Sequence, residues 1–298
     1  MIDRRQFLRM SALALSALPA GRVLAVEDTT GTPGAADFAE TLAELERGSG
    51  GRLGVCLVDT ASGRQWGRRG GERFPMCSTF KFPLVAAVLR RVEQGDLGLD
   101  QPIAIRREDL IPHAPVTEKH VGGHLSVGEL CEATMIWSDN PAANLLLPRV
   151  GGPAGVTAFL RASGDAVTRN DRDEPDVNRF SLDDPRDTTT PEAMAGSLRR
   201  LVLGDVLGAD SRRRLAGWLI DNRTGDRRLR AGLPAGWKVG DKTGSNGEDT
   251  TNDIAIVWPD RGRAPWLLTS YLQGAKVDAD ARDEVLRQVG AAAARLIA

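Results

Sequence analysis

Ser78 and Lys81 stand three residues apart in Ser78-Thr-Phe-Lys81, which runs into the helical apolar pattern Phe82, Val85 and Leu89. On a helix, side chains at i and i+3 share a face, so this hydroxyl and this amine can meet. A serine hydroxyl is scarcely ionised and becomes a nucleophile only beside a base. Read alone, Ser78 could simply cap the helix. Lysine in a first helical turn, however, opposes the helix dipole. The chain writes its basic residues as arginine almost throughout, with lysine only at Lys81, Lys119, Lys238, Lys242 and Lys276. A lysine kept in such a background suits work that requires losing a proton, which a guanidinium does not do.

Three more clusters carry comparable types. Ser138-Asp139-Asn140 lies between Trp137 and Pro141, where a capped turn between helices is the plain alternative. Lys242-Thr243-Gly244 ends the strand-like run Trp237–Thr243. It is not a phosphate loop, which needs glycine immediately before the lysine, where Asp241 stands. Glu174 and Asn178 fall in Thr168–Asp187, a polar stretch with no periodicity. Long loops of that kind are more often functional than idle, although a charged surface turn would read the same.

The elements that must hold these residues follow from periodicity. Phe38, Leu42 and Leu45 predict a helix stopped near Gly48, and Arg52–Asp59 with Arg64–Arg68 reads as a β-hairpin. Helical signals dominate from about residue 78 to 220: a capping box at Ser126-Val-Gly-Glu129, a Pro191 start leading to Met194, Leu198, Leu201 and Val202, and Leu215, Trp218 and Leu219. Strand character returns at Trp237–Thr243, Asp253–Trp258 and Trp266–Tyr271, before a closing helix marked by Val285, Val289 and Leu296. The expected fold class is α/β (α+β), with a five-stranded antiparallel sheet flanked by the terminal helices. An all-helical domain of residues 71–220 is expected as an insertion between sheet segments 26–70 and 221–298. A cleft between the two is the usual place for a site.

Composition narrows the classes. The chain has 298 residues, 41% hydrophobic, with a formal net charge of −1, enough for a full core and with no nucleic-acid footprint. No apolar run approaches the roughly 20 residues that span a bilayer, so no stable membrane anchor is expected. Residues 1–25 read as a twin-arginine export signal: Arg4-Arg5, an apolar run from Met10 to Ala20, and small residues near Ala25. The expected location is the periplasm. Cys56, Cys77 and Cys131 are too few to staple the fold, and the three histidines, His113, His120 and His124, make no metal site. No cofactor is expected, and a monomer is.

S-x-x-K, S-D-N and K-T-G in this order resemble the signature of penicillin-recognising serine enzymes, and the Glu174…Asn178 spacing resembles the class A β-lactamase branch. Tyr271 is the only tyrosine, which excludes the branches that replace S-D-N with Tyr-x-Asn. The resemblance runs from about Phe38 to Ile297, and Arg73–Lys81 and Gly240–Asp249 look like the cephalosporin-hydrolysing members of class A. It implies hydrolysis of the β-lactam amide through an acyl-enzyme on Ser78, conferring β-lactam resistance. Either Lys81 or Glu174, acting through a water, would take the serine proton. The amides of Ser78 and Ser245 would form the oxyanion hole, and Ser138 would protonate the leaving nitrogen. Glu174 and Asn178 would hold the deacylating water in an omega loop, residues 172–187, closed by Arg172 and Asp187. Asn140 would orient the substrate amide; Lys242, Thr243, Ser245 and Arg228 would take the substrate carboxylate. Arg228 is expected in that role because Glu248–Asp253 holds no arginine. Carbapenem-hydrolysing members pair a cysteine at Cys77 with one where Asn246 stands, so that disulfide is not expected here.

Overall fold

The computed structural model describes residue 32 and residues 34–260 and 262–298; the expected export signal lies outside the described residues. Helix α1 (Ala35–Ser49) leads into the hairpin β1 (Arg52–Asp59) and β2 (Gln65–Arg68). The short β3 (Phe74–Pro75) and a 3₁₀ turn, Cys77–Phe80, open α2 (Lys81–Glu93). A small ribbon, β4 (Pro102–Ala104) with β5 (His124–Ser126), precedes α3 (Val127–Ile136), α4 (Asn140–Leu146) and α5 (Gly152–Ala162). After the long polar loop come β6 (Thr188–Thr189), paired with β3, then α6 (Pro191–Leu198), α7 (Ala209–Ile220) and the single turn α8 (Leu229–Gly232). The chain closes with β7 (Lys238–Ser245), β8 (Thr251–Trp258), β9 (Trp266–Gln273) and α9 (Ala279–Ile297).

The main sheet has the order β2-β1-β9-β8-β7, antiparallel throughout, so the early hairpin and the late strands share one sheet. Both faces are covered, which is why its strands read as nearly continuous apolar runs. On β8, Ile254 and Ile256 join the core shared with α2, α3 and α6, while Ala255 and Val257 join the core under α1 and α9. The capping box is present: Ser126 Oγ accepts the Glu129 amide at 3.2 Å, and Glu129 accepts the Ser126 amide at 2.7 Å.

Three local expectations need correction. The helix expected from Ser78 begins as the 3₁₀ turn, and the α-helix proper starts at Lys81, because Cys77 sits at φ 45°, a left-handed conformation that admits no regular α-turn. Helix α6 stops at Leu198 and passes into a π-helical turn, Arg199–Leu203, closed by the Gly204 amide on the Arg199 carbonyl at 2.9 Å. In α1 the buried residue that follows Phe38 and Leu42 is Glu46, with Leu45 at the core margin. Glu46 accepts the Leu53 amide at 3.0 Å and pairs with Arg68 and Arg69. Burial opposes its charge, but both guanidiniums and that amide prevail and bring its pKa down to about 2.

Candidate active site

The serine turn is fixed from three directions. Met76 N–H donates to the Asp187 carbonyl at 2.9 Å, and Asn252 Nδ2 on β8 donates to the Pro75 and Met76 carbonyls at 2.9 and 3.1 Å. The Thr79 hydroxyl donates to Met76 O at 2.8 Å. These bonds hold Cys77 in its strained conformation, which costs about 1–3 kcal/mol in isolation. A Cβ on Gly244 would lie 2.7 Å from Met76 O and 3.1 Å from the Ser78 amide nitrogen. The glycine of K-T-G is therefore required for β7 to reach the serine turn.

Lys81 is fully buried and takes the centre. Its Nζ lies 2.9 Å from Ser78 Oγ, 3.2 Å from Glu174 Oε1, 2.7 Å from Ser138 O and 3.3 Å from Ser138 Oγ, and it donates to Asn140 Oδ1. Burial lowers its pKa, while the Glu174 carboxylate works in the other direction. Ser78 Oγ also lies 3.1 Å from Glu174 Oε1, so the hydroxyl faces two groups able to take its proton.

Ser138, at φ 58°, points its hydroxyl between two lysines: Lys242 Nζ is 3.0 Å from Oγ, opposite the Lys81 contact. When both nitrogens donate, the serine's lone pairs are occupied and its own proton is left to turn into the cleft. Asp139 holds the turn, accepting the amides of Val116, Thr117 and Ala142 at 3.0, 2.9 and 2.9 Å. The plain reading of S-D-N as a cap is thus correct for its Asp, whereas Ser138 and Asn140 line the cleft. Lys242 is also fully buried, and burial followed by the charge of Lys81 pushes its pKa well down.

The polar loop brings Glu174 over the serine. Arg172 Nε meets Asp187 Oδ2 at 2.6 Å, and Asp187 Oδ1 accepts the amides of Asp171 and Arg172 at 2.7 and 3.0 Å. Asn178 Nδ2 donates to Glu174 Oε2 at 2.7 Å, and its Oδ1 is buried with no hydrogen-bond partner. Asn144 on α4, a residue the sequence reading passed over, clamps the Glu174 peptide through both atoms of its amide.

A cleft of about 290 Å³ opens over this cluster, and Ser78, Ser138, Asn140, Asn178, Arg228, Thr243 and Ser245 all line it. His113, considered earlier only as a metal ligand, lines it too, its Nε2 3.0 Å from the Trp137 carbonyl. Thr243 Oγ1 is hydrogen-bonded to Thr224, and Ser245 Oγ donates to Thr250 O at 3.0 Å. Arg228 donates through Nε to Asp283 at 2.8 Å and through Nη1 to the carbonyls of Gly244 and Asn252 at 3.1 and 3.0 Å. A larger cavity, about 370 Å³ between α1 and α9, contains none of these residues. Cys56, Cys77 and Cys131 are buried free thiols, and no cluster of metal-ligating side chains occurs among the described residues.

A sheet roofed by terminal helices, with a half-buried serine set against two buried lysines, a second serine between them and a loop-borne glutamate, defines a serine acyl-transfer enzyme of the penicillin-recognising class. The sequence model of the β-lactamase enzyme family matches residues 37–297. β-Lactamase L2 of Stenotrophomonas maltophilia is 54% identical with both chains covered in full, and β-lactamase CTX-M-8 of Citrobacter amalonaticus is 49% identical over 88% of each chain. The crystal structure of a β-lactamase from Xanthomonas campestris superposes with a TM-score of 0.88 at 61% identity, covering 89% of this chain and 99% of that one. The class A β-lactamase of the last common ancestor of Gram-negative bacteria superposes with a TM-score of 0.86 at 59% identity, over 88% of this chain and 99% of that one. The chain belongs to the β-lactamase enzyme family, in its class A serine branch, and is a β-lactam hydrolase.

Proposed function

We propose that the protein hydrolyses penicillins and cephalosporins in two steps on Ser78, and so confers resistance to them. Ser78 Oγ attacks the lactam carbonyl carbon while its proton passes to the coupled Lys81–Glu174 pair, both members of which lie in reach. The amides of Ser78 and Ser245 receive the oxyanion, each worth about 3–4 kcal/mol by comparison with similar donors. As the C–N bond breaks, Ser138 gives its proton to the nitrogen and is resupplied along the lysine contacts. A water then attacks the ester: Glu174 takes its proton, Asn178 Oδ1 accepts its second hydrogen, and Ser78 leaves with a proton restored. Asn140 orients the substrate amide and Lys81. Lys242, Thr243, Ser245 and Arg228 take the substrate carboxylate.

The observation that carries this reading is Glu174 held against both Ser78 and Asn178. A peptidase acting on cell-wall peptides would share the serine and lysines but has no use for that pair. Turnover of a chromogenic cephalosporin by the purified protein tests it. Many turnovers per molecule, abolished in Ser78→Ala, are expected; no turnover by the unaltered protein would overturn the proposal.

The same reading places the working protein in the periplasm as a monomer, exported through residues 1–25. It divides the chain into a discontinuous sheet domain, 26–70 and 221–298, and a helical domain, 71–220, with the cleft between them. No helix among the described residues is long and apolar enough to cross a membrane.

A further inference from the structure

The oxyanion hole takes one N–H from Ser78, in the turn before α2, and one from Ser245, at the end of the edge strand β7. Two donors serve one oxyanion only when both lie about 2.7–3.1 Å from the same point. The turn and the strand are far apart in the chain, so a tertiary contact must set their spacing. Asn252 on β8 stands directly opposite Gly244, and Thr251 opposite Ser245. Directly paired residues of an antiparallel sheet share a face. Gly244 places no side chain there, where a Cβ would press on Met76 O at 2.7 Å. The Asn252 amide reaches that same carbonyl at 3.1 Å and Pro75 O at 2.9 Å. These carbonyls belong to the two peptide units just before the one that carries Ser78 N–H, and the nearer unit meets it at Cys77, whose φ is 45°. Asn252 is fully buried, and its Oδ1 has no partner. An orphaned oxygen costs stability, so it is the two donated bonds that account for an amide here.

We propose that Asn252 is a positioning residue for acylation: its side-chain amide ties the serine turn to the β7–β8 pair and so sets the spacing of the two oxyanion donors. The inference rests on the reading of the Ser78 and Ser245 amides as the oxyanion hole. The other bonds on the turn cannot do this. The Thr79 hydroxyl also donates to Met76 O, at 2.8 Å, but Thr79 belongs to the turn itself. The Met76 N–H bond to Asp187 O ties the turn to the polar loop, away from β7. Of these bonds, only those of Asn252 come from the sheet. The Asn252 carbonyl, which receives Arg228, is backbone and survives a change of side chain. Loss of the amide therefore acts on the oxyanion hole and spares carboxylate capture.

The test has two readouts on the purified protein. Rapid mixing with a cephalosporin separates the dissociation constant from the acylation rate constant. Asn252→Ala should lower the acylation rate constant by about ten- to a hundredfold, up to the loss of one whole donor, and leave the dissociation constant within about twofold. The second readout is the infrared stretch of the ester carbonyl in the stalled Ser78 adduct of Glu174→Ala, a band that two aimed donors lower. Adding Asn252→Ala should move this band up, towards that of the same adduct in the unfolded protein. A band that stays in place, or a fall confined to the dissociation constant, would overturn the positioning role. A band in Glu174→Ala alone that already matches the unfolded adduct would instead overturn the oxyanion-hole reading. Melting temperatures identify a variant that does not fold. Asn252→Ser, which offers one proton to two carbonyls, then decides, with the same shifts expected.

Discussion

Asn144 grips the peptide unit of Glu174 at both ends: its Oδ1 accepts the Glu174 N–H at 3.0 Å, and its Nδ2 donates to the Glu174 carbonyl at 2.8 Å. The polar loop is thus pinned to helix α4 at Glu174, the residue proposed to activate the water. Asn144→Ala should slow deacylation by about tenfold or more while leaving acylation less affected, since general-base work depends on distance. Single-turnover kinetics separate the two steps; equal slowing of both would assign Asn144 to stability alone.

Arg228→Ala should weaken capture more than chemistry. A hydrogen bond to a charged group is worth about 1.5–3 kcal/mol, or roughly 10- to 150-fold in kcat/KM. Unchanged kcat/KM for both penicillins and cephalosporins would make Arg228 a structural link between β7, β8 and α9.

The cysteines should be silent in the folded protein. Burial pushes the Cys56 thiol up to about 12, and burial also raises Cys77 and Cys131. A thiol reagent at pH 8 should label none of the three in the native state and all three after denaturation. A cross-link found by non-reducing mass spectrometry would contradict this.

Asp253 should make stability pH-dependent. It is fully buried, Oδ1 has no partner, and burial, reinforced by the nearby Asp241, pushes its pKa well up. A folded-state pKa above the unfolded value means the contribution is complete below about pH 4 and falls, by up to about 1.4 kcal/mol per pH unit, until the raised folded value is passed. Asp253→Asn removes that slope. Its melting temperature should therefore gain on wild type between pH 5 and 8; parallel curves would show that Asp253 is ionised in the folded protein.

Residues whose partners sit on the same local element were legible in the sequence. Ser78 and Lys81 meet because one turn places them together, and the sheet strands announce themselves because both faces are buried. Residues that act across the fold left no such trace. Asn144 lies 30 positions from Glu174, Asp283 55 from Arg228, and Asn252 177 from Pro75, so nothing in local spacing distinguishes them from surface polar residues. The late start of α2 was hidden for a related reason. It depends on the left-handed Cys77, a conformation that only the tertiary bonds to Met76 and Pro75 sustain.

The central claim is that Glu174 drives the water that frees Ser78. Intact-protein mass spectrometry after mixing with benzylpenicillin tests it most directly, using wild type, Ser78→Ala and Glu174→Ala. Ser78→Ala should gain no mass. Glu174→Ala should acylate, if slowly, and then hold the adduct, because general-base assistance is worth about 10²–10⁴-fold. Wild type should consume many equivalents and show no lasting adduct. A wild-type adduct as durable as that of Glu174→Ala would contradict the account.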